Sequence, residues 1–454
     1  MQTIQTSTCF KKKYSFPILD FFDVEVEVTN NPYILPLDEL FTMAARMNKK
    51  RSFLFVSKLI GKHIPVHPNK ALVTSALLAV RYYESKMGEE YCGKSALLAE
   101  FLKENPSFSR VPFIPAGDHP LIIGFAETAT ALGQAFFDCF RTAEYFHTTR
   151  EVPDGWQPVI TFEEEHSHAT SHRCYVPLDM IQNQREIILV DDELTTGKTA
   201  LNIIRSLHAQ FPRKNYSVAA ILDWRTDENK RDFAKLEQEL GIKIHVASLL
   251  AGTVRIETHK AAAEEKAEIW TEVENGIKVE RISVSSFFSQ IQTPFIAEAK
   301  EIHPAPFIQE TGRFGLHIEE ARAITDKVNR AADYLAGKRS GKRTLCLGTG
   351  EFMYLPLRIA AKLGKGISFQ STTRSPIFVK DKEGYGARYK AVFPSPENQE
   401  ITHYVYNIPN GFYDEIFVFF ERETEEFNLE PMLNELKNTG VKSIKLVVFS
   451  EIQR

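Results

Sequence analysis

The stretch REIILVDDELTTGKTALNII, Arg185 to Ile204, constrains the fold more than any other part of the chain. Its run EIILV is continuously apolar and rich in β-branched residues, which is typical of a strand buried on both faces of a parallel sheet. From Ala200 onward the apolar residues return at helical spacing. The stretch therefore predicts a strand, a loop and a helix, with two acids and a threonine-rich turn in the loop.

The same order of elements recurs along the chain. LIIGFAETATALGQAFF and TLCLGTGEFMYLPLRIA both read as a buried strand, a short loop and a helix. GISFQSTTRSPI, YDEIFVFFERETEEF and IKLVVFSEI supply further strands. Near the N-terminus, LDELFTMAARMN has the spacing of a short amphipathic helix. Alternating strands and helices predict an α/β fold in which parallel strands are joined by right-handed crossovers.

Composition excludes several classes of protein. The 454 residues suffice for two or three domains, and a net charge of −4 predicts no nucleic-acid partner. Five scattered cysteines without a C-x-x-C pair predict reduced thiols in a cytoplasmic protein. No apolar run reaches the length of a membrane span, so we expect no membrane association.

The loop after EIILV is a predicted anion site. Backbone N–H groups, hydroxyls and a lysine at a helix N-terminus favour a phosphate. An ATP-binding P-loop would need glycine at the position of Asp192, and two acids beside a triphosphate would repel it. A ribose 5-phosphate fits better, because carboxylates can accept hydrogen bonds from its hydroxyls. The predicted phosphate-binding residues are Thr195, Thr196, Gly197, Lys198 and Thr199.

VDDELTTGKT resembles the phosphoribosyl-pyrophosphate (PRPP) loop of type I phosphoribosyltransferases of the PRTase_2 kind. The resemblance implies the parallel-sheet fold of that superfamily and an enzyme that uses PRPP with Mg²⁺. It assigns Asp191 and Asp192 to the ribose hydroxyls, directly or through the metal, as catalytic and metal-binding residues. Purine-salvage members carry an acid where this chain has Thr195, which puts hypoxanthine-type chemistry in doubt.

Two further segments acquire roles from this resemblance. The turn ETAT corresponds to the pyrophosphate-binding loop, with Glu127, Thr128, Ala129 and Thr130. FEEEHSHATSHRCY corresponds to a mobile hood over PRPP, with His166 and His168 as catalytic residues. The alternative for the second segment is a zinc or nickel site, since a third histidine, His172, is close in sequence.

The C-terminal part resembles the TRSP domain, on the stretches ETGRFG, GTGEFMYLP and TTRSPI. That domain follows a phosphoribosyltransferase domain in proteins associated with bacterial tellurium-resistance gene clusters. We therefore expect a Rossmann-like α/β second domain, possibly a degenerate repeat of the first. The predicted boundaries are an N-terminal extension at 1–30, the phosphoribosyltransferase domain with its hood at 31–285, a linker at 286–312 and the TRSP domain at 313–454.

The second domain offers its own candidate pocket. Glycines after one strand permit close backbone approach, and an arginine after another could pair with an anion, so both loops should meet at one edge of the second sheet. The residues of this predicted pocket are Gly348, Thr349, Gly350, Glu351, Thr373, Arg374 and Ser375.

The sequence thus predicts phosphoribosyl transfer from PRPP to a small, nitrogenous, base-like acceptor, in a protein that could form a homodimer. Two alternatives remain open at this stage. One is a PRPP-sensing regulator without turnover, and the other is an enzyme that cleaves a nucleotide to base and sugar phosphate.

Overall fold

The structure, a computed structural model, contains two parallel-stranded sheets flanked by helices. It describes residues 12–46, 52–109, 111–115, 119–127, 129–153, 155–163, 171–259, 276–291 and 305–452. We call the part built on the larger sheet the first lobe and the part built on the smaller sheet the second lobe. None of the helices in these ranges is long and apolar enough to cross a membrane.

The strands up to residue 259 are β1 (Lys12–Ile18), β2 (Phe22–Asn30), β3 (Phe41–Ala45), β4 (Phe53–Ser57), β5 (Leu121–Gly124), β6 (Glu144–His147), β7 (Ile160–Glu163), β8 (Ser171–Cys174), β9 (Ile187–Leu194), β10 (Asn215–Asp223) and β11 (Lys243–Thr258). The helices of this part are α1 (Leu37–Leu40), α2 (Pro68–Met87), α3 (Lys94–Phe101), α4 (Ala129–Phe137), α5 (Leu178–Ile181), α6 (Lys198–Gln210) and α7 (Asp227–Leu240).

From residue 276 onward the strands are β12 (Lys278–Ser283), β13 (Leu316–His317), β14 (Thr344–Gly348), β15 (Ile367–Ser371), β16 (Lys390–Pro394), β17 (Thr402–Tyr406), β18 (Glu415–Phe420) and β19 (Ser443–Val448). The helices are α8 (Ile318–Ala336), α9 (Tyr354–Ala360) and α10 (Glu426–Lys437), with short 3-10 turns at Ser285–Phe287 and Gln309–Thr311.

The first sheet has the order β1-β2-β11-β10-β9-β5-β6-β13, and its five strands from β11 to β6 are parallel. The second sheet has the order β12-β19-β18-β14-β15 and is parallel throughout. Strand β9 shows why the sequence folds this way. Ile188 and Val190 pack into one hydrophobic cluster, and Ile187 and Leu189 pack into another on the opposite face. A continuous apolar run thus has both faces buried.

The two lobes pack through α4 and α9. Buried Arg358 on α9 donates to buried Asp138, just after α4, over 2.9 Å. One hydrophobic cluster also continues from the first lobe into the second and includes Phe136 and Phe369. The facing lobes therefore share a core.

The sheet boundaries differ from the predicted domain boundaries. β1 and β2 lie in the predicted N-terminal extension but extend the first sheet, with β2 beside β11. β12 falls inside the predicted first domain, yet Lys278 pairs with Ser443 in the second sheet. β13 falls inside the predicted TRSP domain, yet it pairs with β6 of the first sheet. The lobes thus exchange strands near the predicted linker.

One predicted helix is wrong. LDELFTMAARMN has the spacing of a short amphipathic helix, but in its described part, which ends at Arg46, only Leu37–Leu40 is helical and β3 follows at once. β3 pairs antiparallel with β4, and this places Phe41 against Phe55, with ring centroids 4.8 Å apart. Strand pairing and aromatic packing override the helical spacing of a short apolar segment.

Candidate functional site

The acid pair Asp191–Asp192 lies in the carboxyl-terminal half of β9, where both residues are half-buried. The backbone N–H of Asp192 donates to Oδ1 of Asp191 over 2.9 Å. Because successive residues of a strand point to opposite faces, the two carboxylates leave β9 in different directions. They can therefore contact different groups of one ligand at the strand end.

The predicted phosphate loop, Thr195–Thr199, joins β9 to α6 and leads into the first turn of that helix. Gly197 precedes α6 with φ of 75°, and a Cβ there would lie 2.5 Å from Cε2 of Phe233. The loop therefore requires glycine for both its conformation and its packing. The backbone N–H of Lys198 contacts Oγ1 of Thr196 at 3.3 Å, and the lysine side chain is exposed.

The wall behind this loop contains residues that the sequence analysis missed. Arg225, after β10, forms a two-pronged ion pair with Asp223 through contacts of 2.9 and 2.8 Å. Its guanidinium lies over the ring of Phe233, 4.3 Å from the centroid. Asp223 pairs in register with Leu194, so this wall adjoins the end of β9. The sequence feature that could have indicated these residues is the segment LDWRT, in which an acid and an arginine follow a buried apolar run.

The predicted pyrophosphate loop lies beside the acid pair. β5 is the parallel neighbour of β9, and the N–H of Phe125 donates to the carbonyl of Val190 over 3.3 Å. The following peptide, between Ala126 and Glu127, is cis. Ala129 and Thr130 begin α4 and are buried. Thr128 lies outside the described residues.

Glu127 is buried and bridges the two lobes. Its carboxylate pairs with Nη1 of Arg150 at 3.1 Å in the first lobe and with Nε of Arg374 at 2.8 Å in the second. Burial alone would raise the pKa of Glu127, but the charges of the two arginines outweigh it and the pKa lies below its ordinary value. The carboxylate is therefore ionised at neutral pH.

The predicted hood begins in the antiparallel hairpin of β7 and β8. Arg173 and Thr149 exchange backbone hydrogen bonds of 2.8 and 2.9 Å, which tie the hairpin to the loop after β6. Nδ1 of His172 lies 2.9 Å from Oγ1 of Thr148, so this histidine is part of the hairpin's anchorage. His166 and His168 lie outside the described residues.

Within the described ranges no group of three or more histidine, cysteine, aspartate or glutamate side chains could hold a metal ion. His172 therefore belongs to no such group among those residues. The predicted zinc or nickel site depends on His166 and His168 and stays a prediction.

The two loops of the predicted second-lobe pocket touch each other. The N–H of Thr372 donates to the carbonyl of Gly348 over 3.0 Å, and the N–H of Gly350 donates to Oγ1 of Thr372 over 2.8 Å. Thr349 donates from its hydroxyl to the carbonyl of Phe419 at the end of β18. All these residues and their neighbours Thr373 and Ser375 lie at one edge of the second sheet. Ligand binding by this edge stays a prediction.

These contacts repeat contacts of the first lobe. The N–H of Thr148 donates to Gly124 over 2.9 Å, and the N–H of Ala126 donates to Oγ1 of Thr148 over 3.0 Å. The paired positions stand at one constant offset in the sequence: Gly124 and Gly348, Ala126 and Gly350, Glu127 and Glu351, Thr148 and Thr372, Arg150 and Arg374. The shared signal is the tripeptide TTR after β6 and after β15, which the sequence analysis did not use.

The repeat includes a histidine on a hairpin. As Thr148 does with His172, Thr372 places Oγ1 3.1 Å from Nδ1 of His403 on β17. The second-lobe hairpin also bonds to its threonine loop, because Thr373 and Tyr404 exchange backbone hydrogen bonds of 2.9 and 2.7 Å. The second lobe therefore repeats the first lobe's strand, loop, helix, strand and hairpin. It has no counterpart of the TTGKT loop, since ERETEEF follows β18.

Glu351 mirrors Glu127 by reaching into the opposite lobe. Its carboxylate accepts from Oγ1 of Thr149 over 2.5 Å and from the N–H of Arg150 over 2.7 Å. Burial and the nearby charge of Glu151 raise the pKa of Glu351. The predicted pocket of the second lobe is thus filled in part by its own side chains, which face the first lobe.

A buried ionic network closes the space between the lobes. Arg313 donates from Nη1 to both carboxylate oxygens of Glu421 over 2.9 and 2.7 Å and lies 3.3 Å from Glu151. Arg422 lies 3.2 Å from the same Glu151. Arg313 is 1% exposed, and the surrounding carboxylates hold its pKa above the ordinary value despite burial. Elements that are distant in sequence thus meet around one arginine.

Comparisons with known proteins agree with this two-part organisation. Residues 40–253 match the family PRTase_2, described as phosphoribosyl transferase, and residues 310–436 match the family described as TRSP domain C terminus to PRTase_2. No curated protein matches the chain.

Several solved structures show weak similarity. Adenine phosphoribosyl transferase from Trypanosoma brucei is 11% identical, with 49% of this chain and 82% of that chain covered and a TM-score of 0.30. The enzyme from Leishmania tarentolae is 13% identical, with 47% and 85% covered and a TM-score of 0.26. A hypoxanthine phosphoribosyltransferase from Staphylococcus aureus is 10% identical, with 33% and 65% covered and a TM-score of 0.18.

Proposed function

We propose that the chain transfers a phosphoribosyl group from PRPP to a nitrogenous, base-like acceptor, because residues 40–253 match the phosphoribosyl transferase family PRTase_2 and residues 310–436 match the TRSP domain family. The observation that carries this proposal is the shared edge of β5 and β9. There the acid pair, a glycine-dependent turn at a helix N-terminus and the loop of Glu127 lie side by side.

In this proposal the phosphate loop binds the 5-phosphate through backbone N–H groups, hydroxyls and Lys198. Asp191 and Asp192 accept hydrogen bonds from the ribose hydroxyls. The bond between the anomeric carbon and the diphosphate oxygen breaks, and its electron pair leaves with the diphosphate. A nitrogen of the acceptor forms the new bond and then loses its proton. The protein acts mainly by positioning and by stabilising charge.

The acid pair also fits the proposed Mg²⁺ cofactor, because magnesium prefers a few carboxylate oxygens together with oxygens of the substrate. Because the two carboxylates point in opposite directions, we expect Mg²⁺ to bind one of them and not both. When bound, the ion would neutralise charge on the departing diphosphate. The acceptor stays a prediction, and Thr195 in place of an acid disfavours hypoxanthine-type chemistry.

Calorimetry with PRPP and Mg²⁺ tests the proposal in wild-type protein and in Asp192→Asn. Loss of a charged ligand contact costs about 2–5 kcal/mol, so we expect the variant to bind PRPP at least tenfold more weakly. Glu239→Gln on α7 is the matched control, because that carboxylate is exposed and pairs only with Arg205 among the contacts described. Wild-type protein that does not bind PRPP would contradict the function. Equal affinity in the Asp192 variant would contradict the assignment of that residue.

A diphosphate-release assay over a panel of nitrogenous bases then separates turnover from sensing. PRPP binding without release of diphosphate for any acceptor would favour the regulatory alternative. Elemental analysis of the purified protein decides the predicted role of His166 and His168, because stoichiometric zinc or nickel would contradict a catalytic hood.

A further inference from the structure

A cavity of about 560 Å³ lies at the amino edge of the second sheet. It forms where β12 and β19 begin, beside the loop that joins α8 to β14. Its volume falls within the range of about 300–1,000 Å³ that is usual for sites of small ligands. A ligand in it would meet lysines from three separate segments of the chain. These lysines are Lys278, Lys338, Lys342, Lys442 and Lys445.

The charge balance of this cavity is positive even when the carboxylates that pair with its lysines are counted. The acidic residues in its lining are Glu280 and Asp414, which lie 3.3 and 3.9 Å from lysine ammonium groups. A third carboxylate, buried Glu415, lies outside the lining and pairs with Lys445. Five lysines therefore stand against three carboxylates, and this excess favours an anionic ligand.

Contacts within the second lobe hold the wall of the cavity in place. Buried Lys445 donates to Oγ of Ser340 over 3.0 Å. Arg339 donates to the carbonyls of Leu363 and Lys365 over 2.8 and 3.1 Å, which ties the loop after α8 to the loop before β15. The lysines of the first of these loops are thus carried by an anchored backbone, and an anchored site loses less conformational freedom when a ligand binds.

Two exposed aromatic rings adjoin the same loop. Tyr334 is 42% exposed and Phe412 is 43% exposed. Nζ of Lys338 lies 5.4 Å from the ring centroid of Tyr334, and the guanidinium of Arg343 lies 4.8 Å from that of Phe412. Exposed aromatic rings among cationic side chains are suited to the stacking of a nucleobase.

We propose that this cavity binds an anion with two or more phosphate groups, such as a nucleoside triphosphate. Lysine side chains are compact positive charges, and several of them together match a ligand with several negative charges. The cavity lies at the end of β14 that begins with Thr344, whereas the loop of Thr372 bonds to the other end, at Gly348. The site is therefore separate from the proposed phosphoribosyl site, and it does not depend on the proposed function.

Calorimetry on the full chain at low salt tests this with two probes, ATP and inorganic triphosphate. ATP is informative because the first-lobe loop lacks the glycine that an ATP-binding P-loop needs. We expect Lys342→Glu combined with Lys442→Glu to bind both probes at least tenfold more weakly than wild type. Both lysines are exposed, so the double variant should fold. Tighter binding of ATP than of triphosphate would assign the ligand to nucleotides, and equal binding would assign it to the phosphate groups alone.

The matched control is Lys12→Glu combined with Lys382→Glu, which makes the same change of net charge at exposed lysines outside the cavity. It should change neither affinity. Wild-type protein that binds neither probe would overturn the proposal. Equal losses in the two double variants would also overturn it, because that result indicates a general effect of charge.

Two further outcomes would assign the binding elsewhere and would likewise overturn the proposal. Loss of probe binding in Lys198→Ala, with unchanged binding in the cavity variant, would place the ligand at the phosphate loop. A single-stranded RNA that displaces ATP and binds more tightly than ATP would make this surface a nucleic-acid interface and not a small-ligand site.

Discussion

Glu127 and Glu351 each bind the threonine–arginine loop of the opposite lobe. The carboxylate of Glu127 forms an ion pair with Nε of Arg374 at 2.8 Å. The carboxylate of Glu351 accepts a hydrogen bond from the backbone N–H of Arg150 over 2.7 Å. The two contacts occupy equivalent positions in the sequence, and each glutamate contacts the backbone N–H of the opposite arginine, but Glu127 in addition pairs with the guanidinium of Arg374. Two guanidinium groups, one from each lobe, therefore lie against the carboxylate of Glu127.

Thr148 and Thr372 occupy equivalent positions in the two lobes, so replacing each of them tests whether the two loops contribute equally to stability. Thr148→Val and Thr372→Val each remove a hydroxyl that accepts a buried loop N–H, from Ala126 and Gly350. A buried donor left without a partner costs about 1–3 kcal/mol, so we expect both variants to lose stability by similar amounts in that range. Urea unfolding measures both. A loss of stability in only one of the two variants would show that only one copy of the loop depends on its threonine.

Gly197→Ala should lower stability and ribose 5-phosphate affinity by more than the strain of a positive φ alone would cause. The control is Gly241→Ala at the end of α7, where φ is 63° and a Cβ would meet nothing within 4 Å. A left-handed non-glycine residue costs about 1–2 kcal/mol, which is the expected loss for the control. Gly197→Ala additionally drives Cβ against Phe233, so we expect a larger loss of stability and at least tenfold weaker ribose 5-phosphate binding by calorimetry. Identical behaviour of the two variants would contradict the close packing of Gly197 against Phe233.

Arg313→Met should destabilise the protein by about 3–5 kcal/mol, because it leaves buried Glu421 and Glu151 without their shared partner. Adding Glu421→Leu should recover part of that loss, since removing both members of a buried pair is cheaper than removing one. Denaturant titration of the single and double variants measures the recovery. A double variant less stable than the single one would show that Glu421 does not depend on Arg313.

The pH dependence of stability should show the contribution of Glu415, a fully buried residue paired with Lys445. Burial opposes ionisation, but hydrogen bonds from Lys445, Ser340 and Thr344 lower the pKa of Glu415 to about 2. A lowered folded-state pKa contributes stability that is complete above the unfolded value near 4.5 and is lost as pH falls toward 2. From that interval the contribution at neutral pH is about 3 kcal/mol.

Glu415→Gln checks this contribution. The variant should unfold more easily at pH 7 and show a flatter decline of unfolding free energy between about pH 4.5 and 2. Glu425→Gln, the residue that precedes α10, is the control. An acid decline as steep in Glu415→Gln as in wild type would assign the titration to other groups.

Individual strands and helices could be predicted from the sequence better than the tertiary contacts between them. β9 and α6 follow from an apolar run, a glycine and helical spacing, all of which are local. The Glu127–Arg374 pair could not be predicted, because each residue follows an ordinary strand and only lobe packing brings them together. The same holds for Arg313, whose partners come from the loop after β6 and from the end of β18. β3 was misread because a five-residue strand carries too little periodicity to outweigh a helical spacing.

Since Arg374 and Glu127 belong to one polypeptide, dilution cannot separate them. A tethered partner is present at an effective concentration set by the chain and not by the solution. Specific activity that needs both lobes should therefore stay constant as the enzyme is diluted. The specific activity of a site shared between separate subunits would instead fall once the protein concentration drops below the dissociation constant of the subunits.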